Sequence, residues 1–249
     1  MPRFCANLTW LFPELDFMER FGAAKDAGFD GVEVLSPYDV PVQEMVNQLG
    51  KHGLEMVLIN CPPPNYTGGA QGFAAVPGSE ARFRQDFRRT IRYAKALQTR
   101  IVHVMAGVAT GPEARVLFIE NLRWAAAEAP DQMLTIEPLN PKDMPGYFLN
   151  DYGQACEILR EIDAPNLRLQ FDAYHVGQIH GDVPGQWAQC RDLVAHVQVA
   201  QLPHRTEPDE GIINYPVFFD RLDDEGYDGW VSGEYAPKGT TLGGLGWIR

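Results

Sequence analysis

Positive charge is what this chain has least of. It carries 21 Lys and Arg against 33 Asp and Glu, a formal net charge of −12. Affinity for a nucleic-acid backbone comes mainly from neutralising phosphates with Lys and Arg, so neither duplex nor RNA binding is expected. Docking to an anionic membrane surface is disfavoured for the same reason. A small anionic substrate stays open, because it needs only one local cation or a metal. Cysteine is also scarce: Cys5, Cys61, Cys156 and Cys190 stand far apart, with no Cys-x-x-Cys pair. That argues against a zinc knuckle or a redox motif and for free thiols in a reducing compartment. No apolar run reaches the roughly 18 residues of a membrane span, and no basic, apolar leader opens the chain, so the cytoplasm is the expected location. Neither a Gly-x-Gly-x-x-Gly turn nor a P-loop occurs. No repeat, low-complexity tract or linker divides residues 1–249, and a single domain is expected.

What the chain does have is an alternation of two textures. Short runs rich in Val, Ile, Leu and Phe alternate with longer segments of helical period. The runs are "PRFCANL" (2–8), "GVEVL" (31–35), "LEMVLIN" (54–60), "RIVHVMAG" (100–107), 132–137, "LRLQFDAYH" (167–175), "AHVQVA" (195–200) and "GWVSGEY" (229–235). Helices are expected near 14–27, 41–52, 79–98, 112–129, 151–163, 184–193 and 215–225. Ser79 reads as an N-cap, and Phe83, Phe87, Ile91 and Ala94 share one face of the third helix. Strands alternating with helices imply a parallel sheet. Eight such units in this length fit an α/β fold of the (β/α)8 TIM-barrel kind better than an open doubly wound sheet. The Pro/Gly-rich stretch over 61–78 reads as a long loop, a candidate lid.

In such a barrel the site is built at the C-terminal ends of the strands. Those ends read Asn7, Glu33, Asn60, His103, Glu137, Asp172, Gln198 and Glu234, all polar. Singly they are weak signals: Glu33 reads as a strand-edge charge and His103 as a hydrogen-bonded rim histidine. Glu137, Asp172, Gln198 and Glu234 differ, because they end four successive strands and would converge. Three carboxylates that close repel one another, and a divalent cation would resolve the conflict. Oxygen ligands without cysteine favour Mg²⁺ or Mn²⁺ over Zn²⁺.

The motifs together resemble the hydroxypyruvate isomerases, within the xylose-isomerase-like TIM barrels. The resemblance rests on "ANLTWLF", "AGFDGVE", "HVMAG", "IEPLN…PGYFLN", "FDAYH", "HVQVAQLPHRTEPD", "INYP", "GYDGWVSGEY" and "GLGW", spread over nearly the whole chain. It implies metal ligands at Glu137, Asp172, Gln198 and Glu234, and substrate contacts at His175 and Arg205. Ketose 3-epimerases usually place a histidine where Gln198 stands, so the hydroxypyruvate branch is implied. The implied activity interconverts hydroxypyruvate and tartronate semialdehyde through an enediol, with Glu137 and Glu234 as the two proton carriers. Asn7, Asn60 and His103 complete the expected substrate surface. A 2-oxo-tetronate isomerase and a ketose 3-epimerase of the same fold are the alternatives. The partner is then a small 2-oxo or hydroxy acid, and the sequence leaves a homo-oligomer open. Ala236, Thr206 and Ile212 depart from the family's usual lysine, histidine and glutamate, and they are expected at the substrate mouth.

Overall fold

The computed structural model describes residues 2–62 and 71–248. Eight parallel strands close on themselves in sequence order, β8 pairing back to β1. They are β1 (Arg3–Asn7), β2 (Gly31–Glu33), β3 (Glu55–Cys61), β4 (Ile101–Val104), β5 (Met133–Ile136), β6 (Leu167–Asp172), β7 (Val194–Val199) and β8 (Trp230–Gly233). Among the described residues eight α-helices wrap them: α1 (Glu19–Asp26), α2 (Val42–His52), α3 (Glu80–Leu97), α4 (Gly111–Glu128), α5 (Tyr152–Ile162), α6 (Ala173–His180), α7 (Val183–Cys190) and α8 (Tyr215–Asp224). This is the expected TIM barrel. The strands read as continuous apolar runs because helices cover them outside while side chains fill them inside.

The amphipathic reading of α3 holds: Phe83, Phe87, Ile91 and Ala94 are all buried. Each large apolar side chain hidden this way contributes about 1.5–3 kcal/mol. Ser79 precedes α3, but its side chain makes no capping bond; its carbonyl accepts from Phe83 N instead (2.8 Å). The first helix begins at Glu19 rather than near 14. Arg20 explains the difference, since its guanidinium donates to the carbonyls of Leu8 and Leu15 and so satisfies the preceding loop in a non-helical form.

The larger correction lies at "FDAYH". The strand stops at Asp172 and α6 begins at Ala173, with the Asp172 side chain accepting from Tyr174 N (2.8 Å). One residue thus ends a strand and caps a helix, a role aspartate fills well. His175 therefore stands on the first turn of a helix, not on a strand.

The lid role expected of 61–78 falls in part on 63–70, outside the described residues. The loop's return is fixed by backbone contact. Gly72 bridges to Ala106, and a Cβ on Gly72 would meet the carbonyl oxygen of Met105 at 2.5 Å. Only a residue without a side chain tolerates that approach. Two register shifts occur at strand partners: β7 runs one residue ahead of β6 between Leu169 and Gln170, and β3 runs ahead of β2 between Val32 and Glu33.

Candidate active site

All eight strand-end residues are buried, from 0% exposed at Asn7, Glu33 and Gln198 to 9% at Asn60. They meet at the C-terminal mouth, around a cavity of about 240 Å³ lined by Trp10, Asn60, His103, Glu137, Asp143, Gln170, His175, Arg205 and Glu234, among others. Asp172 and Gln198 stand just behind this lining. Asp172 Oδ2 lies 3.6 Å from His175 Nε2, and Gln198 Oε1 accepts from Gln170 Nε2 at 2.7 Å.

Burial and mutual repulsion dominate the electrostatics. Burial pushes the Glu137 carboxyl well above its ordinary range, and the nearby charges of Asp172 and Glu234 push it further. Glu234 rises to about 8, driven by burial and held back by Arg205. Asp172 also rises through burial, against the pull of Arg205. Arg205 answers part of this charge: its Nη2 stands 2.6 Å from Glu234 Oε1 and 3.3 Å from Asp172 Oδ2. Its guanidinium packs between the Trp10 and Tyr174 rings, 5.2 and 5.0 Å from their centroids. With its side chain only 17% exposed, Arg205 is not a solvated surface arginine.

One arginine against three buried carboxylates leaves negative charge uncompensated, which burial makes costly. That imbalance is what a cation would answer. The donors on hand are carboxylate oxygens and the Gln198 amide oxygen, a set suited to Mg²⁺ or Mn²⁺. Glu137, Asp172 and His175 also each bring one potential ligand atom within 4.8 Å of the others. His175 is differently employed, however. Its Nδ1 accepts from the backbone N–H of Asn140 (3.0 Å), so the ring proton belongs on Nε2. Burial, then the charge of Arg205, lowers its pKa to about 3, and the ring is neutral. His175 therefore offers an N–H donor into the cavity, aimed between Asp172 and Glu137 (3.6 and 4.0 Å).

The remaining expectations divide. Asn60 and His103 line the cavity and pair through Oδ1 and Nδ1 at 3.2 Å. Burial, with repulsion from His175, lowers the His103 pKa to about 3. Asn7 is not in the lining; its amide donates to Glu33 Oε1 and accepts from Thr9 N, which uses both of its ends. The mouth role expected of Ala236, Thr206 and Ile212 is not supported, because none lines the cavity and Ile212 is 71% exposed. In the loop after β7, Gln201 and Thr206 form an antiparallel bridge, and Arg205 between them reaches the cavity. Asn140, just past β5, is buried, and its side-chain partners are His175 and Asp143.

Sequence reasoning passed over Gln170 and Asp143. Gln170 lies two residues before Asp172, hence on the same face of β6 by the two-residue period of a strand. That spacing was the available signal. Asp143 gave none, since it is brought in by the loop after β5, where its Oδ2 accepts from Asn140 and Tyr174.

Comparison with known proteins agrees with this architecture. The family model for the xylose isomerase-like TIM barrel matches residues 21–249. The chain is 43% identical to the 2-oxo-tetronate isomerase of Cupriavidus necator, covering 100% of this chain and 98% of that one. It is 38% identical to the hydroxypyruvate isomerase of Escherichia coli, again over 100% and 98%. Among solved structures, one titled AP endonuclease, family 2, from Brucella melitensis superposes with a TM-score of 0.95 at 42% identity, covering 100% and 98%. The chain thus belongs to the xylose isomerase-like TIM barrel family, and it is one of that family's isomerases.

Proposed function

We propose that this isomerase interconverts hydroxypyruvate and tartronate semialdehyde by moving a proton between adjacent carbons through an enediol. The observation that carries the reading is the pairing of two buried glutamates, Glu137 and Glu234, across one small cavity that also holds the Arg205 guanidinium and neutral histidines. One carboxylate removes the C–H proton and the other returns a proton to the neighbouring carbon, and burial keeps both basic enough to do so. Glu137, Asp172, Gln198 and Glu234 would hold a Mg²⁺ or Mn²⁺ ion. When bound, the ion supplies Lewis-acid stabilisation of the negative charge that develops on the substrate oxygens.

The chain's own cation orients the acid. Arg205 spends Nε and Nη2 on Glu234 and Asp172, which leaves further guanidinium donors for a substrate carboxylate. The neutral His175 donates Nε2–H to a substrate oxygen. The small cavity, with Trp10 and Leu139 in its wall, limits water around the enediol.

The test is exchange of the substrate C–H with solvent deuterium, with Mn²⁺ present and tartronate semialdehyde measured as product. Glu137→Gln and Glu234→Gln are each expected to abolish exchange, a loss of about 10²–10⁴-fold or more. Full exchange retained by either variant removes that residue from the mechanism. A second reading has its own support, since the relative from Cupriavidus necator is named a 2-oxo-tetronate isomerase. A panel of hydroxypyruvate, a 2-oxo-tetronate and free ketoses decides. A kcat/KM for the four-carbon acid about tenfold above that for hydroxypyruvate would replace the first reading, and turnover of ketoses alone would point to an epimerase. The name borne by the Brucella melitensis structure calls for one more arm, cleavage of abasic duplex at low salt, which the chain's net charge of −12 predicts to be absent.

A further inference from the structure

At the cavity floor lies a run of oriented amides, of which the proposed chemistry uses only the Gln198 oxygen. Gln170 Nε2 donates to two acceptors at once, Glu137 Oε2 at 2.8 Å and Gln198 Oε1 at 2.7 Å. At its other end, Gln170 Oε1 accepts from Thr135 Oγ1 at 3.0 Å. Gln198 Nε2 in turn donates to Glu33 Oε1 at 2.8 Å. Glu33 also accepts from Asn7 Nδ2 and His196 Nε2, both at 2.8 Å. All these side chains are buried.

Each amide could in principle sit either way round, with oxygen and nitrogen exchanged. Here every swap is opposed. Flipping Gln198 would aim its oxygen at the Glu33 carboxylate, which only accepts, and its NH₂ at the NH₂ of Gln170. Flipping Gln170 would set oxygen against both Glu137 and Gln198, and NH₂ against a hydroxyl now serving as donor. Glu33, held by three N–H donors, anchors the whole series. The backbone is arranged to match. Glu33 and Gln170 both fall at the two register shifts of the barrel, between Val32 and Glu33 and between Leu169 and Gln170. Shifts of this kind re-aim a side chain.

We infer that Gln170, anchored through Gln198 on Glu33, is a positioning residue that holds the Glu137 carboxylate and the Gln198 amide oxygen in fixed orientation before metal or substrate arrives. This rests on the reading of Glu137 and Gln198 as ligands of the site. Gln170 acts through those two groups. A buried glutamine suits the task because it adds no charge to a floor already crowded with carboxylates, yet it supplies two donors and one acceptor in a single plane. A methionine fills similar space and can donate to neither partner. A glutamate keeps the shape but sets a further carboxylate against Glu137.

The experiment compares the parent protein with Gln170→Met and Gln170→Glu, using metal-free crystal structures, Mn²⁺ affinity by calorimetry, and kcat and KM. In the metal-free variants Glu137 Oε2 and Gln198 Oε1 are expected to leave their parent positions by more than about 0.5 Å, beyond the tolerance of a preorganised site. Mn²⁺ affinity is expected to fall about 10–100-fold, as for other groups that orient metal ligands. kcat should fall with it, while KM stays within about twofold because Arg205 and His175 are untouched. Unmoved groups in the metal-free variants, or loss of the fold in both, would overturn the inference; the second outcome would make Gln170 a residue of stability alone. A parent protein that binds no Mn²⁺ would defeat the proposed metal site instead, and the metal-free structures would still decide whether Gln170 positions its neighbours.

Discussion

Arg205 shows how much one residue can be asked to do. Its backbone sits at φ 54°, in the left-handed region, which costs a side-chain-bearing residue about 1 kcal/mol or more. Two ion pairs and two aromatic faces offset that cost. Lysine could not replace it, because a point charge cannot span two carboxylates and stack between rings. Arg205→Lys is therefore expected to fold but to raise KM for the acid substrate by about tenfold or more, with a smaller change in kcat; steady-state kinetics checks this. Equal losses in kcat and kcat/KM would show that Arg205 acts in the transition state alone. The sequence flagged Arg205 through its place in "HRTEPD". Its coupling to Asp172, 33 residues earlier, was not legible, since it depends on a loop folding back over a neighbouring strand.

At the scale of elements, α7 and α8 are tied by one carboxylate beside the C-terminus of α8. Glu225 accepts from Trp187 Nε1 (2.6 Å), Arg221 Nε (2.9 Å) and, as an ion pair, Arg191 Nη1 (2.9 Å). Burial raises its pKa, but the bonds from Arg221, Arg191 and Trp187 outweigh this and bring it down to about 2, below the ordinary 4.5. A carboxyl with a depressed folded-state pKa stabilises the fold fully above its unfolded value, and loses that contribution as pH falls through the folded value. Acid destabilisation should therefore include a part between about pH 4.5 and 2 that Glu225→Gln removes. The variant should lose roughly 1 kcal/mol at pH 7, allowing for solvent screening, and its melting temperature should fall less steeply in acid. A second tie closes the barrel: Trp247 packs edge-on to Phe4 and Tyr235 and donates Nε1–H to the Tyr235 hydroxyl. Trp247→Ala is expected to cost about 3–5 kcal/mol in denaturant unfolding. Period and composition made the helices visible, yet α6 was missed because "LRLQFDAYH" reads as one apolar run. Its aspartate, placed before small and apolar residues, was the cap signal that divided it.

For the whole molecule, the buried carboxylates make folding and cation binding one problem. Mn²⁺ at about 100 times its Kd adds about 2.7 kcal/mol to a fold that binds it, worth roughly 5–10 °C of melting temperature for a chain of this size. A chelator should reverse that rise, and calorimetry with and without Mn²⁺ checks it. A melting point indifferent to both would mean that the carboxylates share protons rather than an ion. The eight-fold alternation of strand and helix, the closed barrel and the polar strand ends follow from the sequence by itself, because periodicity and apolar runs are local and a parallel barrel has few ways to be built. The separation of strand-end residues into cavity wall, groups set just behind it and supporting floor was decided only by the tertiary structure. Register shifts, a left-handed residue and loops returning over the mouth set which way a side chain faces, and those depend on contacts between strands far apart in the chain. Asn7 and Gln170 show the exchange: a strand end expected to meet substrate instead anchors Glu33, while a residue two positions inside a strand reaches the cavity.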